Sequence, residues 1–308
     1  MWDPGWPEAA PDPRPKEGAL RRNRAVGWVY LTPAILFLVL YLVYPSIRTI
    51  VMSFYGPRSQ SFVGLHNYAW AFTSPDMLVA FRNNFLWLLV FTSFTVGMGL
   101  VLAVLLDRVR YEAVVKSIVF LPMAISYVAA GVIWKFVYAY RPATVNQIGL
   151  LNAIVVALGG RPIGWLTERP WINNLALIAV GVWVWTGFCT VIISAAYKGI
   201  PKEILEAARI DGASEWQVFW RVTVPFLKST LAVVTTTMVV FVLKVFDIVY
   251  VMTNGAYGTE VIANRMYKEM FLYQDYGLAS AIAVILFLLV VPFVLINIRR
   301  FRAQEALR

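Results

Sequence analysis

With 308 residues, 60% of them hydrophobic and 14% charged, the sequence is not that of a soluble globular domain. The net charge of +10 does not mark a nucleic-acid binder, because the basic residues are scattered between apolar runs and a membrane surface accounts for them more simply. A single cysteine, Cys189, and a single histidine, His66, exclude an internal disulfide and a His-rich metal site, and they leave little basis for histidine catalysis.

Residues 1–25 are rich in proline and poor in aliphatic side chains, and are expected to form a disordered tail. The apolar run 26–51 is too long for a signal-peptide core and lacks a cleavage site, so it reads as a retained first transmembrane helix, with Pro33 and Pro45 bending it or marking its ends. A polar stretch with turn chemistry at Gly56-Pro57 follows. Further spans are expected at 82–106, opening with Asn83-Asn84, and at 114–138, which contains Pro122, with Trp134 and Lys135 in an interfacial belt. In the connection 139–171, residues 146–158 suit a short surface or re-entrant helix. Spans at 172–197, 226–252 and 278–298 complete a set of six, and 299–308 is a basic tail. The expected fold is all-α, an integral membrane protein of six transmembrane helices.

Between the fourth and fifth spans lies the one long segment that is amphipathic and charged, KEILEAARIDGASEWQVFWRVTVP at 202–225. Pro201 suits a helix entry. Ile204, Leu205 and Ala208 share one face, with Lys202, Glu206 and Arg209 largely opposite. Asp211-Gly212 breaks the helix, since glycine accepts a left-handed backbone. Ser214 with Gln217 three residues on is a capping box that starts a second helix carrying Trp216, Phe219 and Trp220, and Pro225 is expected to end the segment. The sequence thus predicts a helix–turn–helix between two spans.

Six spans place both termini on one side. The basic residues number 5 in the N-terminal tail, 3 in 107–116, 5 in 198–228 and 4 in the C-terminal tail, against 2 or 3 in each of 52–82, 139–171 and 253–277. The positive-inside rule therefore places both termini and the 202–225 loop in the cytoplasm. No phosphate loop of the form G-x-x-x-x-G-K-[ST], no G-x-S-x-G elbow and no H-E-x-x-H pair is present, so the chain carries no ATP site of the P-loop kind and no recognisable enzyme constellation.

Glu206-Ala207-Ala208, three residues, Gly212, nine residues and Val222-Thr223-Val224-Pro225 together resemble the EAA loop of binding-protein-dependent ABC importer permeases, with valines where that family usually has Ile and Leu. The resemblance extends over nearly the whole chain after residue 25, with 82–298 as the permease domain. It implies type I importer architecture in a bacterial cytoplasmic (inner) membrane. Its implied partners are a second permease subunit, two ATPase subunits that use ATP and Mg, an extracytoplasmic sugar-binding protein and membrane lipid. It assigns coupling to the ATPase to Glu206, Ala207, Ala208, Asp211, Gly212, Ala213, Trp216 and Pro225. The chain itself is then no enzyme and holds no cofactor or metal. Within the loop, Glu206 is expected to cap or pair locally and brace the two helices.

For a substrate path the sequence offers Lys244 and Asp247 in the fifth span. Each charge at mid-bilayer costs about 2.5–3.5 kcal/mol, and their i, i+3 spacing suits a pair on one helix face. That pair fits either a hydrated cavity or a packing salt bridge. Trp183, Trp185, Phe246 and Tyr250 are candidates for stacking on sugar rings or for plain packing, and Asn254 opens the following loop. The stretch 253–271, TNGAYGTEVIANRMYKEMF, resembles sugar permeases, those for α-glucosides such as maltose, sucrose or trehalose above all, although it lacks their common Gly-Gly-Pro. The alternative is a secondary transporter coupled to an ion gradient through Asp247, for which no inverted repeat is visible.

Overall fold

The computed structural model describes residues 17–107 and 109–305. They are helical, with an isolated bridge between Tyr55 and Phe62 as the only extended pairing among them. The chain divides into two compact units, one ending at Val51 and the other starting at Met52.

The first unit contains all but the last residue of helix α1 (17–52), which runs through a π turn at Val39–Val43. It starts at Glu17, inside the stretch read as a disordered tail; residues 1–16 of that tail lie outside the described residues. The apolar stretch Trp28–Met52 buries none of its side chains, a surface that only hydrocarbon would solvate.

The second unit comprises α2 (His66–Thr73), α3 (Pro75–Leu106), α4 (Glu112–Ala124), α5 (Tyr127–Val137), α6 (Leu150–Ala157), α7 (Ile172–Tyr197), α8 (Lys202–Ile210), α9 (Glu215–Leu243), α10 (Asp247–Met252), α11 (262–272) and α12 (Tyr276–Glu305). Among the described residues five helices are long and apolar enough to cross a membrane, and the bent pair α4–α5, taken as one span, makes a sixth. The fourth span falls where expected, and the short helix α6 lies within the expected 146–158. Helix α3 begins at Pro75 rather than 82, because Pro75 at the first turn and Asp76 behind it are a start signal for which the apolar count is blind. The basic tail is helical to Glu305.

Two expected spans are not continuous helices. The third bends by 100° between α4 and α5. Pro122 opens a 3-10 turn at Leu121–Ala124, Ile125 is extended, and Ser126 caps α5 by accepting a hydrogen bond from the Ala129 N–H at 3.2 Å. The fifth breaks at 244–246, between α9 and α10. Conversely, Pro225 does not end the amphipathic segment but lies inside α9, two residues after a π turn at Phe219–Thr223. Pro45 in α1 follows its own π turn by the same interval. A proline ring clashes with the carbonyl four residues back, and one wider turn absorbs that mismatch without ending the helix.

The main core is formed where α3, α7 and α9 pack together, with Trp87, Phe91, Leu177, Cys189, Ile193 and Met238 fully buried. Glycines let α7 approach its neighbours. A Cβ on Gly99 would lie 2.5 Å from that of Cys189, and one on Gly187 would lie 2.6 Å from Phe120 Cα in α4. A second cluster joins α2, the start of α3, α11 and α12 through Ala71, Met77, Ile262, Ile282 and Ile285.

Candidate functional site

The 202–225 segment is an elbow of two helices meeting at a fixed corner. Gly212 has φ +83°. The Gly212 N–H donates to the Arg209 carbonyl at 3.0 Å, and the Ala213 N–H to the Ala208 carbonyl at 3.0 Å. This is a Schellman end, which satisfies the carbonyls that a helix terminus leaves open. It also explains the small residues: Ala208 and Ala213 both pack against the main core, where larger side chains would hold the corner away. Across the corner, Ser214 Oγ accepts from the Gln217 N–H at 3.3 Å, and Gln217 Oε1 accepts from the Ser214 N–H at 2.8 Å, the expected capping box.

The brace between the helices is Arg209 to Glu215, Nε to Oε1 at 2.7 Å; Glu206 forms no ion pair among the described residues. Glu206 lies a turn earlier in α8, whereas the corner folds Arg209 and Glu215 together. The Glu215 carboxylate raises the Arg209 pKa further above its ordinary value. Leu205 and Val218 are buried and tie the elbow to the bundle. The free side presents Glu206, Ala207, Asp211, Gly212, Ile210 at 85% exposure and Trp216 at 70%. Trp216, Phe219 and Trp220 form one aromatic group, with ring centroids 5.0–6.3 Å apart. Beside the elbow, Glu112 at the head of α4 pairs with Lys116 and with Lys198 at the end of α7, the latter at 2.8 Å, and the Glu112 carboxylate raises the Lys198 pKa.

At the break in the fifth span, Lys244 and Asp247 are both exposed and no ion pair joins them. The unwound 244–246 segment removes the helical register that would set them three residues apart on one face. Helix α10 packs on α5, so the two broken spans meet, and a Cβ on Gly131 of α5 would lie 3.0 Å from Val251.

The aromatic candidates separate. Trp183 borders an apolar cavity of about 680 Å³ with Phe94, Met98 and Pro122, and meets Trp134 edge-on at 5.7 Å. Trp134 is thus a packing partner, also tilted against Tyr138 at 5.1 Å. Trp185, two residues on, packs into Phe241 at 4.6 Å. Neither joins Lys244. Tyr250 does lie with the break, stacked on Phe246 at 5.1 Å. Asn254 is exposed with φ +49°, and its carbonyl accepts from Lys268 Nζ at 2.7 Å.

The sequence reading missed a buried carboxamide clamp. Asn83 Nδ2 donates to the carbonyls of Gly258 at 2.8 Å and Glu260 at 2.7 Å. Asn84 accepts from the Ile262 N–H at 2.9 Å and donates to the Leu243 carbonyl at 3.3 Å. Asn173 donates to the Tyr257 carbonyl at 2.8 Å. The Glu260 carboxylate is itself buried and receives Asn264 Nδ2 at 2.5 Å and Lys268 Nζ at 2.7 Å. These groups hold a loop in which Asn254, Gly255, Tyr257 and Gly258 all have positive φ. The visible signal was the doublet Asn-Asn at the head of two apolar runs, since amides at that depth need partners. Among the described residues no cluster of His, Cys, Asp and Glu suits a metal ion.

Residues 95–302 match the family model described as binding-protein-dependent transport system inner membrane component. The osmoprotective compounds uptake permease protein GgtC of Synechocystis sp. is 64% identical over 280 residues, covering 91% of this chain and 100% of that protein. The alpha-glucoside transport system permease protein AglF of Rhizobium meliloti is 50% identical over 273 residues, covering 88% of this chain and 81% of its own length. A crystal structure of a bacterial ABC transporter involved in the import of the acidic polysaccharide alginate contains a chain of the same fold, with a TM-score of 0.77 at 24% identity, covering 92% of this chain and 98% of that one. The chain therefore belongs to the family of binding-protein-dependent transport system inner membrane components, the transmembrane permease subunits of ABC importers, and is not an enzyme.

Proposed function

We propose that this permease imports a neutral α-glucoside, of the size of maltose, trehalose or sucrose, as one of two membrane-spanning subunits. The observation that carries the coupling half of this reading is the elbow: a rigid corner whose exposed face holds Ile210, Trp216 and Trp220. Exposed aromatics clustered on a stiff element suit an interface anchor, and a stiff element passes on rigid-body motion that a slack loop would absorb. An ATPase subunit docked there would transmit its closure to the spans, and each ATPase partner would supply the ATP and Mg site that this chain lacks. The charge distribution puts the elbow and both termini in the cytoplasm, so a sugar-loaded binding protein would deliver at the opposite face. For the cycle to couple, the partners must bind the inward-open and outward-open states with different affinity.

The substrate half is supported by the names of the similar permeases, one for alpha-glucosides and one for osmoprotective compounds, and by Lys244 and Asp247. Two exposed charges without a mutual partner cannot face hydrocarbon cheaply, so they fit a hydrated path. The test is ATPase activity of the chain co-expressed with its second permease and ATPase partners, after adding binding protein loaded with maltose, trehalose or sucrose. Stimulation by at least one loaded form is expected. A stable complex that none of the three stimulates would refute the α-glucoside, and failure of any ATPase to co-purify would refute the coupling role.

A further inference from the structure

Two arginines stand on aromatic faces where three connections of the chain converge, at the end of the bundle remote from the elbow. Helix α7 sets that separation. It runs 26 residues from Ile172 to Tyr197, about 39 Å at 1.5 Å per residue, and the elbow follows its last turn. Just before its first turn, the Trp171 ring carries the Arg82 guanidinium at 5.5 Å, and the Arg169 guanidinium lies over the Tyr257 ring at 6.0 Å. Arg82 closes the segment 52–82, Arg169 and Trp171 belong to 139–171, and Tyr257 belongs to 253–277. Hydrogen bonds tie these pieces together. Asn173 Nδ2 donates to the Tyr257 carbonyl at 2.8 Å, and Asn83, next to Arg82, donates to the Gly258 carbonyl at 2.8 Å. We propose that Arg82 and Arg169, seated on Trp171 and Tyr257, form a docking anchor for carboxylates on the extracytoplasmic binding protein, an inference that rests on the importer reading above and its sidedness.

Both arginines are exposed, and neither forms an ion pair among the described residues. Glu168, next to Arg169 in sequence, is exposed as well and pairs with neither. Arg265 is the contrast: it too lies over aromatic rings, but it is matched by Asp76 at 2.7 Å and Glu269 at 2.6 Å. Though unpaired, Arg82 and Arg169 are held. The rings seat both guanidiniums, and Arg82 also donates to Asn83 Oδ1, from Nε at 3.3 Å and from Nη2 at 3.1 Å. A planar fork matches the two oxygens of a carboxylate, and a fork already held in place loses less side-chain entropy on taking one. Arginine, tryptophan and tyrosine are also the residue types that most often dominate protein interfaces. The support beneath leads inward. Asn84, beside Asn83, donates to the Leu243 carbonyl at 3.3 Å, where the fifth span breaks. A partner seated on the two arginines is thus linked to that break through adjacent asparagines.

The test is ATPase stimulation of the whole importer in phosphatidylcholine nanodiscs, titrated with binding protein loaded with maltose, trehalose or sucrose. Arg82→Glu and Arg169→Glu are each expected to raise the half-stimulating concentration of binding protein about three- to tenfold at low salt. At about 0.5 M salt, where exposed charges are screened, the difference from wild type should shrink to within about twofold. Arg82→Gln and Arg169→Gln, which disturb folding less, should show a smaller rise in the same direction. Replacing one exposed acidic residue of the binding protein with lysine should restore Arg169→Glu. An unchanged half-stimulating concentration in the glutamate variants, a rise that salt does not reduce, or no restoration by any such lysine would overturn the anchor. A rise seen only when phosphatidylglycerol is present in the disc would assign the arginines to lipid headgroups instead. Sidedness is read separately with Arg169→Cys, since Cys189, the chain's single cysteine, is buried. A membrane-impermeant maleimide should label that variant in intact spheroplasts, and labelling only after permeabilisation would overturn the outer placement. A wild-type importer that no loaded binding protein stimulates would remove the importer reading and the anchor with it, a result distinct from a stimulated wild type with unaffected variants.

Discussion

Replacing Gly212 with valine tests whether the elbow works by being rigid. The backbone at this position has φ +83°, and nothing lies within 4 Å of where a Cβ would sit. Any effect therefore comes from the backbone and not from a clash with neighbours. A side chain held in the left-handed region costs about 1–2 kcal/mol, with a β-branched residue at the upper end. A change of that size shifts the ratio of formed to opened corner about five- to thirtyfold. The readout is ATPase activity stimulated by loaded binding protein, compared with co-purification of the ATPase subunit. Gly212→Val should lose most of the stimulation. Gly212→Asn should lose least, since asparagine tolerates this conformation. Ser214→Ala, which removes a cap worth about 1 kcal/mol, should fall between them. Arg209→Ala should do little, because its ion pair is exposed to solvent. Full stimulation in Gly212→Val, or a larger loss in Gly212→Asn than in Gly212→Val, would refute the argument from rigidity.

Four further outcomes are expected. Gly187→Leu forces a side chain against the backbone of Val119 and Phe120 and should lower thermal stability by about 1–3 kcal/mol, while Gly97→Ala, with open space around it, should be neutral or stabilising by up to about 1 kcal/mol; equal melting temperatures would contradict the close approach of α4 and α7. Asn84→Leu strands the Leu243 carbonyl and the Ile262 N–H and should cost about 1–3 kcal/mol for each group left unsatisfied, readable in a thermal unfolding series in detergent. Asp247→Asn should reduce uptake if the charge lines a hydrated path, and wild-type uptake and sugar affinity would return it to packing. Burial raises the Glu269 carboxyl above its ordinary 4.5, with Arg265 opposing the shift. A carboxyl raised in the folded state favours folding most below the unfolded value, and that contribution fades as pH rises through the folded one. Glu269→Gln should therefore gain in melting temperature relative to wild type as pH rises from about 4 to 7, and a difference that stays flat or reverses would show that the ion pair with Arg265 dominates.

The sequence by itself determined the membrane class, the number of apolar crossings and the elbow. The crossings are legible because an apolar run of the right length has no other stable solvent. The elbow is legible because its devices are local: a glycine three residues after Ala208-Arg209 and a serine three before Gln217 act on neighbours in the chain, with hydrogen bonds that span five residues or fewer.

Only the tertiary structure decided the interior of the spans. Hydropathy averages over a window, so it joined α4 to α5 and α9 to α10, although Pro122 marked the first break and nothing local marked the second. Lys244 and Asp247 read as a pair because a continuous helix was assumed, and the unwound turn between them removes the pairing. Pro225 read as a stop because the wider turn before it is invisible in residue types alone. The carboxamide clamp joins residues about 175 positions apart, as Asn83 does with Gly258 and Glu260, and the contact of the Tyr250 and Tyr267 rings joins two helices across a loop. Contacts of that range are settled by how the helices pack, because each amide or ring has many possible partners in the sequence and only two or three in the fold.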